Sequence, residues 1–240
     1  GLLATSSLIV GGVIASRFSL SKRAIGIILA FGAGTLISAI SYELIFAALR
    51  RAQGTGFPGF GLFAGAFTFF IADYLIGRFG AARPMSPDAS PSSRLVVPMV
   101  LAIILDGVPE SMVLGLGLFE EGTVSLTLLA AVFISNLPEA IAGTTGMKAG
   151  GWSRQKILLL WLSIILICAL TTVAGHSLFT NTPEHWLAFI QAFAGGAILM
   201  MLANSMMPEA FEHGGKLAGV FTVLGFATSV TIILLEGAPH

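Results

Sequence analysis

Two short stretches place acidic side chains where the surrounding sequence is apolar. LDGVPES, residues 105–111, carries Asp106 and Glu110 with Pro109 between them. ISNLPEA, residues 134–140, carries Ser135, Asn136 and Glu139 around Pro138. Residues three or four apart share one face of a helix. Asp106 is therefore set beside Glu110, and Ser135 and Asn136 beside Glu139. Each proline lacks an N–H and crowds the preceding turn, which frees the carbonyls of Leu105 and Ile134. Carboxylates, an amide, a hydroxyl and loose carbonyls together make an oxygen-rich cation site, with Asp106, Glu110, Ser135, Asn136 and Glu139 as its metal-ligating candidates.

A charge at the centre of a bilayer costs at least about 2.5–3.5 kcal/mol. No Lys or Arg falls within the interior of any apolar segment of this chain, away from the segment ends, so the compensating charge is a bound metal ion or protons. A single proline in such a helix is a kink, and a single Ser or Asn a helix–helix hydrogen bond. Two Pro-Glu copies at matching depth on adjacent segments point instead to a site.

The elements that position these residues follow from composition. The chain has 240 residues, 55% hydrophobic and 10% charged, with mean hydropathy +0.93. Soluble domains carry about a quarter charged residues, so this composition belongs in a bilayer. The formal net charge is zero, which gives no electrostatic footprint for nucleic acid. Cys168 is the single cysteine, so neither an internal disulfide nor a Cys-rich metal site forms.

Pro, Gly and charged punctuation divide the chain into eight apolar segments near 2–16, 24–49, 57–80, 95–119, 123–147, 156–178, 185–211 and 216–236. The reading is an all-α integral membrane protein, one transmembrane domain over 1–240. The first segment is short and the chain starts at Gly1, which reads as a trimmed start. RPMSPDASPSSR, residues 83–94, reads as a flexible loop. With the N-terminus outside, the inner loops hold Arg17, Lys22, Arg23, Arg78, Arg83, Arg94, Lys148, Arg154, Lys156 and Lys216, against Arg50 and Arg51 outside. That bias places both termini outside.

FGAGTLISA (31–39) matches FAGGAILMM (193–201) at an offset of 162 residues. The same offset lays the first segment on the sixth and the third on the eighth, while the two Pro-Glu motifs pair the fourth with the fifth. The result is a 3+2+3 arrangement. An offset of five segments is odd, so the halves insert in opposite orientations. Inverted repeats of this kind place a transport site at the repeat interface near the midplane.

Glu43 and Asp73, inside segments, suit packing or a proton path. Glu209, in MMPEAFEHGG, suits a gate, an exit or a cap, and His213 beside it reads as a solvated loop residue. The GAG and AGG runs at 32–34 and 194–196 suit close helix packing better than phosphate binding.

These motifs resemble the Zrt-/Irt-like (ZIP) family of divalent-metal transporters over essentially the whole chain. DGVPES and SNLPEA look like the family's fourth- and fifth-span motifs, and AFAGGAILMMLANSMMPEAFEHGG resembles its seventh span. The resemblance implies eight spans with both ends outside and a homodimer. It also implies a moving unit of the first, fourth, fifth and sixth helices against the other four. The substrate it implies is zinc. The sequence departs from the pattern where a leading His is Asp106, the following Asn is Gly107 and the fifth-span leading residue is Ser135. Asn204 and Ser205 stand where an acidic pair is common, and the sixth span has no carboxylate or His. Losing the imidazole hardens the ligand set, towards Mn²⁺, Fe²⁺ or Mg²⁺ relative to Zn²⁺.

The expectation is therefore a multi-pass inner (plasma) membrane carrier, not an enzyme, that moves a divalent metal into the cytoplasm and has no nucleic-acid partner. Two rivals remain open: a homologue that binds metal without transporting it, as a sensor or structural protein, and an intramembrane metal-dependent hydrolase. The hydrolase would ordinarily want His ligands, and this core has none.

Overall fold

A computed structural model describes residues 2–18, 20–52, 54–78, 104, 107–115, 125–178 and 182–236. Among them the chain is all helical. We label the helices α1 (Leu2–Arg17, interrupted at Ser6), α2 (Lys22–Arg51), α3 (Phe57–Arg78) and α4 (described over 107–115). They continue with α5 (Leu126–Ala149), α6 (Arg154–Leu178), α7 (Glu184–Gly214) and α8 (Leu217–Glu236). Six of these, α2, α3, α5, α6, α7 and α8, are long and apolar enough to cross a membrane. The expected segments agree with these bounds to within three residues, except that the fourth (95–119) lies largely outside the described residues. So does the 83–94 loop.

Local chemistry sets the ends. The Ser21 hydroxyl accepts from Ala24 N at 3.2 Å to open α2, and Ser125 does the same for Leu128 N to open α5. Gly215, at φ +58°, closes α7 by donating its N–H to Phe211 O. At one end of the bundle, Lys148 Nζ donates to Ala15 O at 2.9 Å, joining the last turns of α5 and α1. At the other, Arg51 pairs with Glu184 at 2.7 Å and holds α2 antiparallel to α7.

α2, α5 and α7 form the buried centre, while α3, α6 and α8 are mostly exposed. The outward faces of those three are apolar: Phe60, Phe63 and Phe67 on α3, Leu166 and Leu170 on α6, Val223 and Leu235 on α8. In water such faces would be a severe liability; against hydrocarbon they are the required surface. Glycine permits the tightest crossings. On α2, Gly34 lies against the Thr222 carbonyl of α8, and on α7, Gly196 lies against the Leu62 carbonyl of α3. Gly11 lets α1 approach α5, where a Cβ would stand 2.6 Å from Leu137 O.

α5 runs through Pro138 without interruption, in line with the single segment expected over 123–147. One finding was not foreseen from sequence: α2 and α7 each contain a π-helical stretch, Ile40–Phe46 and Leu202–Met206. Such wide turns are uncommon and concentrate at functional regions.

Candidate metal site

Helices α4 and α5 bring the two acidic motifs together in the interior. Glu110 is 2% exposed, and Asn136 and Glu139 are 4% exposed each. Asn136 Nδ2 donates to Glu110 Oε2 across the helix contact at 3.4 Å, a long hydrogen bond. Glu139 lies within electrostatic reach of Glu110. Its Oε1 is buried and finds no hydrogen-bond partner among the described residues. Leaving such an oxygen unsatisfied costs about 1–3 kcal/mol, and more when it is charged. Two carboxylates and an amide oxygen in this setting can receive a cation or share a proton.

Ser135 is also buried, and its hydroxyl donates back to Val132 O at 3.0 Å, which leaves its lone pairs as acceptors. The Ser135 backbone packs on α2: a Cβ on Gly32 would lie 3.2 Å from Ser135 Cα, 3.5 Å from Ile134 O and 3.0 Å from Met206 Cε. The carbonyl that Pro138 was expected to free thus faces the α2 contact. Asp106 and the Leu105 carbonyl lie outside the described residues. Among the described residues, no three His, Cys, Asp or Glu side chains converge closely enough to hold an ion as they stand. Glu110, Asn136 and Glu139 are an open set rather than a closed cage.

Two neighbours escaped the sequence reading. Ser111 is fully buried with no hydrogen-bond partner for its hydroxyl among the described residues. The thiol of Cys168, on α6, points at Gly107 O at 3.8 Å. Neither carries a charge or a spacing that would single it out, and only the α4–α6 contact places them here.

The remaining candidates lie elsewhere. His213 is not a solvated loop residue: α7 continues to Gly214, and the imidazole is buried with Nε2 2.8 Å from Glu209 Oε1. Gly26 of α2 packs directly on it. Glu43 falls in the π stretch of α2 and Asp73 on α3, both half-buried. His185 stacks edge-on with Phe57 near the start of α7.

The fold and the site define a multi-pass membrane protein with buried carboxylates between two of its helices. No protein-family model matches the chain. It is similar to a protein of Arabidopsis thaliana named putative zinc transporter, at 22% identity over 220 residues. That match takes in 90% of this chain but 35% of the plant protein, so the chain spans about a third of its relative's length. The relative's name is that of a transporter rather than an enzyme.

Proposed function

We propose that this chain is a metal transporter, and more specifically an eight-span carrier of the ZIP type. It takes a divalent cation (zinc, manganese or iron) as substrate and carries it into the cytoplasm through a midplane site. The ligands are Asp106, Glu110, Ser135, Asn136 and Glu139. The observation that carries this reading is the Glu110–Asn136 contact with an unpartnered Glu139 oxygen beside it, buried where no Lys or Arg is available. Neutralised by an ion, that set loses the charge penalty that would otherwise oppose its passage through hydrocarbon.

The packing supports an inverted 3+2+3 repeat. The π stretches begin at Ile40 and Leu202, separated by the same 162 residues as the sequence copies. Gly34 and Gly196 share that separation and occupy matching crossings, α2 on α8 and α7 on α3. Phe31 and Phe193 share it too, and their carbonyls face Gly225 and Gly65 respectively. Helix contacts also sort in a way that supports two units. α1 packs on α5 and α6, and α4 meets α6, whereas α3 packs on α7 and α2 on both α7 and α8. The α2–α5 contact, with a smaller one between α5 and α8, joins the two groups, so it is the main surface along which a moving unit would slide. A homodimer in the inner (plasma) membrane, with both termini outside, completes the reading.

Uptake into sealed liposomes tests it. Glu110→Gln and Glu139→Gln keep side-chain shape but remove the charge. Each should abolish cation uptake while the protein still inserts, and their effects should be non-additive because they share one partner. Cation protection against heating should vanish in each, since binding to the native state is what protects. Uptake persisting in both variants with protection intact would remove the proposed site. Protection without any uptake in the unaltered protein would make it a sensor or structural metal binder.

A further inference from the structure

Where α2 ends and α3 and α7 begin, a cavity of about 300 Å³ is lined by Thr55, Gly56, Phe57, Phe60, Trp186 and Phe189. Ring packing fixes its walls. Phe57 meets His185 edge-on at 4.9 Å and Trp186 at 5.4 Å between ring centroids, and Trp186 meets Phe189 at 5.7 Å. Such edge-to-face contacts favour one arrangement of the rings. Gly56 adds no side chain to the cavity, and a Cβ there would touch only the Phe60 ring, at 3.6 Å. Water would find few partners among these groups. An apolar chain needs none.

The surroundings say what such a chain belongs to. Phe60 is 75% exposed and starts the outward apolar face that runs on through Phe63 and Phe67, so the cavity shares a wall with the hydrocarbon-facing side of α3. Trp186, 47% exposed, has the amphipathic ring that sits at headgroup level. Arg50 and Arg51 close α2 at the same level, and Arg51 holds Glu184, two residues before Trp186, at 2.7 Å. The chain has no other Lys or Arg between Arg23 and Arg78, or between Lys156 and Lys216. The basic residues at this end of α2, α3 and α7 are therefore gathered beside the cavity. Glu184 offsets one of their two charges and leaves a surplus of one, which matches one phosphodiester.

We propose that the cavity binds an acyl chain of a single anionic phospholipid, whose phosphate lies against Arg50 and Arg51. The lipid spans the turn after α2, the start of α3 and the start of α7, and so braces that group of helices at its shared end. The site stands apart from the carboxylates of α4 and α5: it requires only that α2, α3 and α7 end at a membrane surface.

Brominated phospholipids are the probe, because bromine on an acyl chain quenches tryptophan fluorescence on contact. The chain has three tryptophans, so the Trp186 signal is the difference between the unaltered protein and Trp186→Phe. With the full chain in phosphatidylcholine bilayers, brominated phosphatidylglycerol should quench that signal at a mole fraction about fivefold lower than brominated phosphatidylcholine does. That is the preference one basic group gives at a membrane surface. Arg50→Gln leaves the Arg51–Glu184 pair in place and should bring the two lipids to within about twofold of each other. Gly56→Leu, in an exposed turn, fills the cavity and should lower the maximal quenching by both lipids. Quenching that rises in proportion to mole fraction, equally for both headgroups, would overturn the proposal and leave Trp186 an ordinary interfacial residue. A headgroup preference that survives Arg50→Gln and Arg51→Gln together would overturn the phosphate contact. Full quenching in Gly56→Leu would overturn the cavity as the seat of the chain.

Discussion

Asn136 on α5 donates its amide N–H to the carboxylate of Glu110 on α4 at 3.4 Å, with both side chains buried. The contact does two things at once. It gives a buried carboxylate a donor and it fixes the spacing between the two Pro-Glu motifs. Its length leaves the amide free to turn, so that its oxygen rather than its nitrogen can face an ion. Asn136→Leu removes both functions at similar volume. It should lower stability without metal by about 1 kcal/mol, because Glu110 loses one of its hydrogen-bond donors. It should also raise the zinc concentration needed for half-maximal thermal protection about 10–100-fold. A half-maximal concentration equal to that of the unaltered protein would confine Asn136 to helix packing.

The glycine crossings predict a sharp contrast between two substitutions of the same kind. At Gly65 on α3, an added Cβ runs into the Phe193 carbonyl of α7, which is backbone and cannot turn aside. Gly65→Ala should therefore cost about 1–3 kcal/mol or more, the range for overpacking a filled interface. At Gly219 on α8 the nearest atom to an added Cβ is Phe211 Cζ at 3.9 Å, ordinary contact. Gly219→Ala should stabilise by up to about 1 kcal/mol through helix propensity alone. Thermal unfolding in detergent decides both, and equal effects would mean that α3 and α7 do not meet at Gly65.

The parts of the molecule that were readable from sequence are those written in charge and hydropathy. α2 was expected over 24–49 and spans Lys22–Arg51, because Lys22, Arg23, Arg50 and Arg51 form its polar end turns at the membrane surfaces. Asn136 and Glu139 stood out as polar groups in apolar sequence. His213 was misplaced because the glycines after it suggest a loop, whereas packing against Gly26 extends the helix over it. The contact of Cys168 with α4 was invisible: a neutral thiol in an apolar run is indistinguishable from core until its neighbours are known. The π stretches carry no compositional mark either. Ile40–Phe46 and Leu202–Met206 contain ordinary helix residues, and an inserted position is held by packing rather than by propensity.

Orientation can be tested without any transport. In a Cys168→Ser background, single cysteines introduced by Ser90→Cys and Gly122→Cys should react with a membrane-impermeant thiol reagent from opposite sides. The first is expected inside and the second outside, as the ten-to-two distribution of basic residues requires. Both positions labelling from the same side would exclude a crossing between them, and with it the eight-span topology.

The α2–α5 contact supplies the most demanding test of the carrier mechanism. Gly32 stands where the two helices meet, and a Cβ there would come 3.0 Å from Met206 Cε and 3.2 Å from Ser135 Cα. The first neighbour is the end of a flexible side chain and can yield; the second is backbone and can shift only slightly. Gly32→Ala should therefore fold, with a melting temperature within about 4 °C of the unaltered protein, as expected for a change near 1 kcal/mol in a chain of this size. Zinc affinity should be unchanged, because Gly32 offers no donor to the ion. The uptake rate is where the methyl group should act. If α5 slides along α2 during each cycle, every step must carry the added bulk past Ser135 or its neighbours, and an extra barrier of about 1.4 kcal/mol slows uptake tenfold. Gly59→Ala on α3, where an added Cβ meets nothing within 4 Å, is the matched control and should transport normally. A Gly32→Ala protein that binds and transports at the unaltered rate would show that α2 and α5 do not move past one another, and the two-unit mechanism would then have to be abandoned even if Glu110 and Glu139 proved to be ligands.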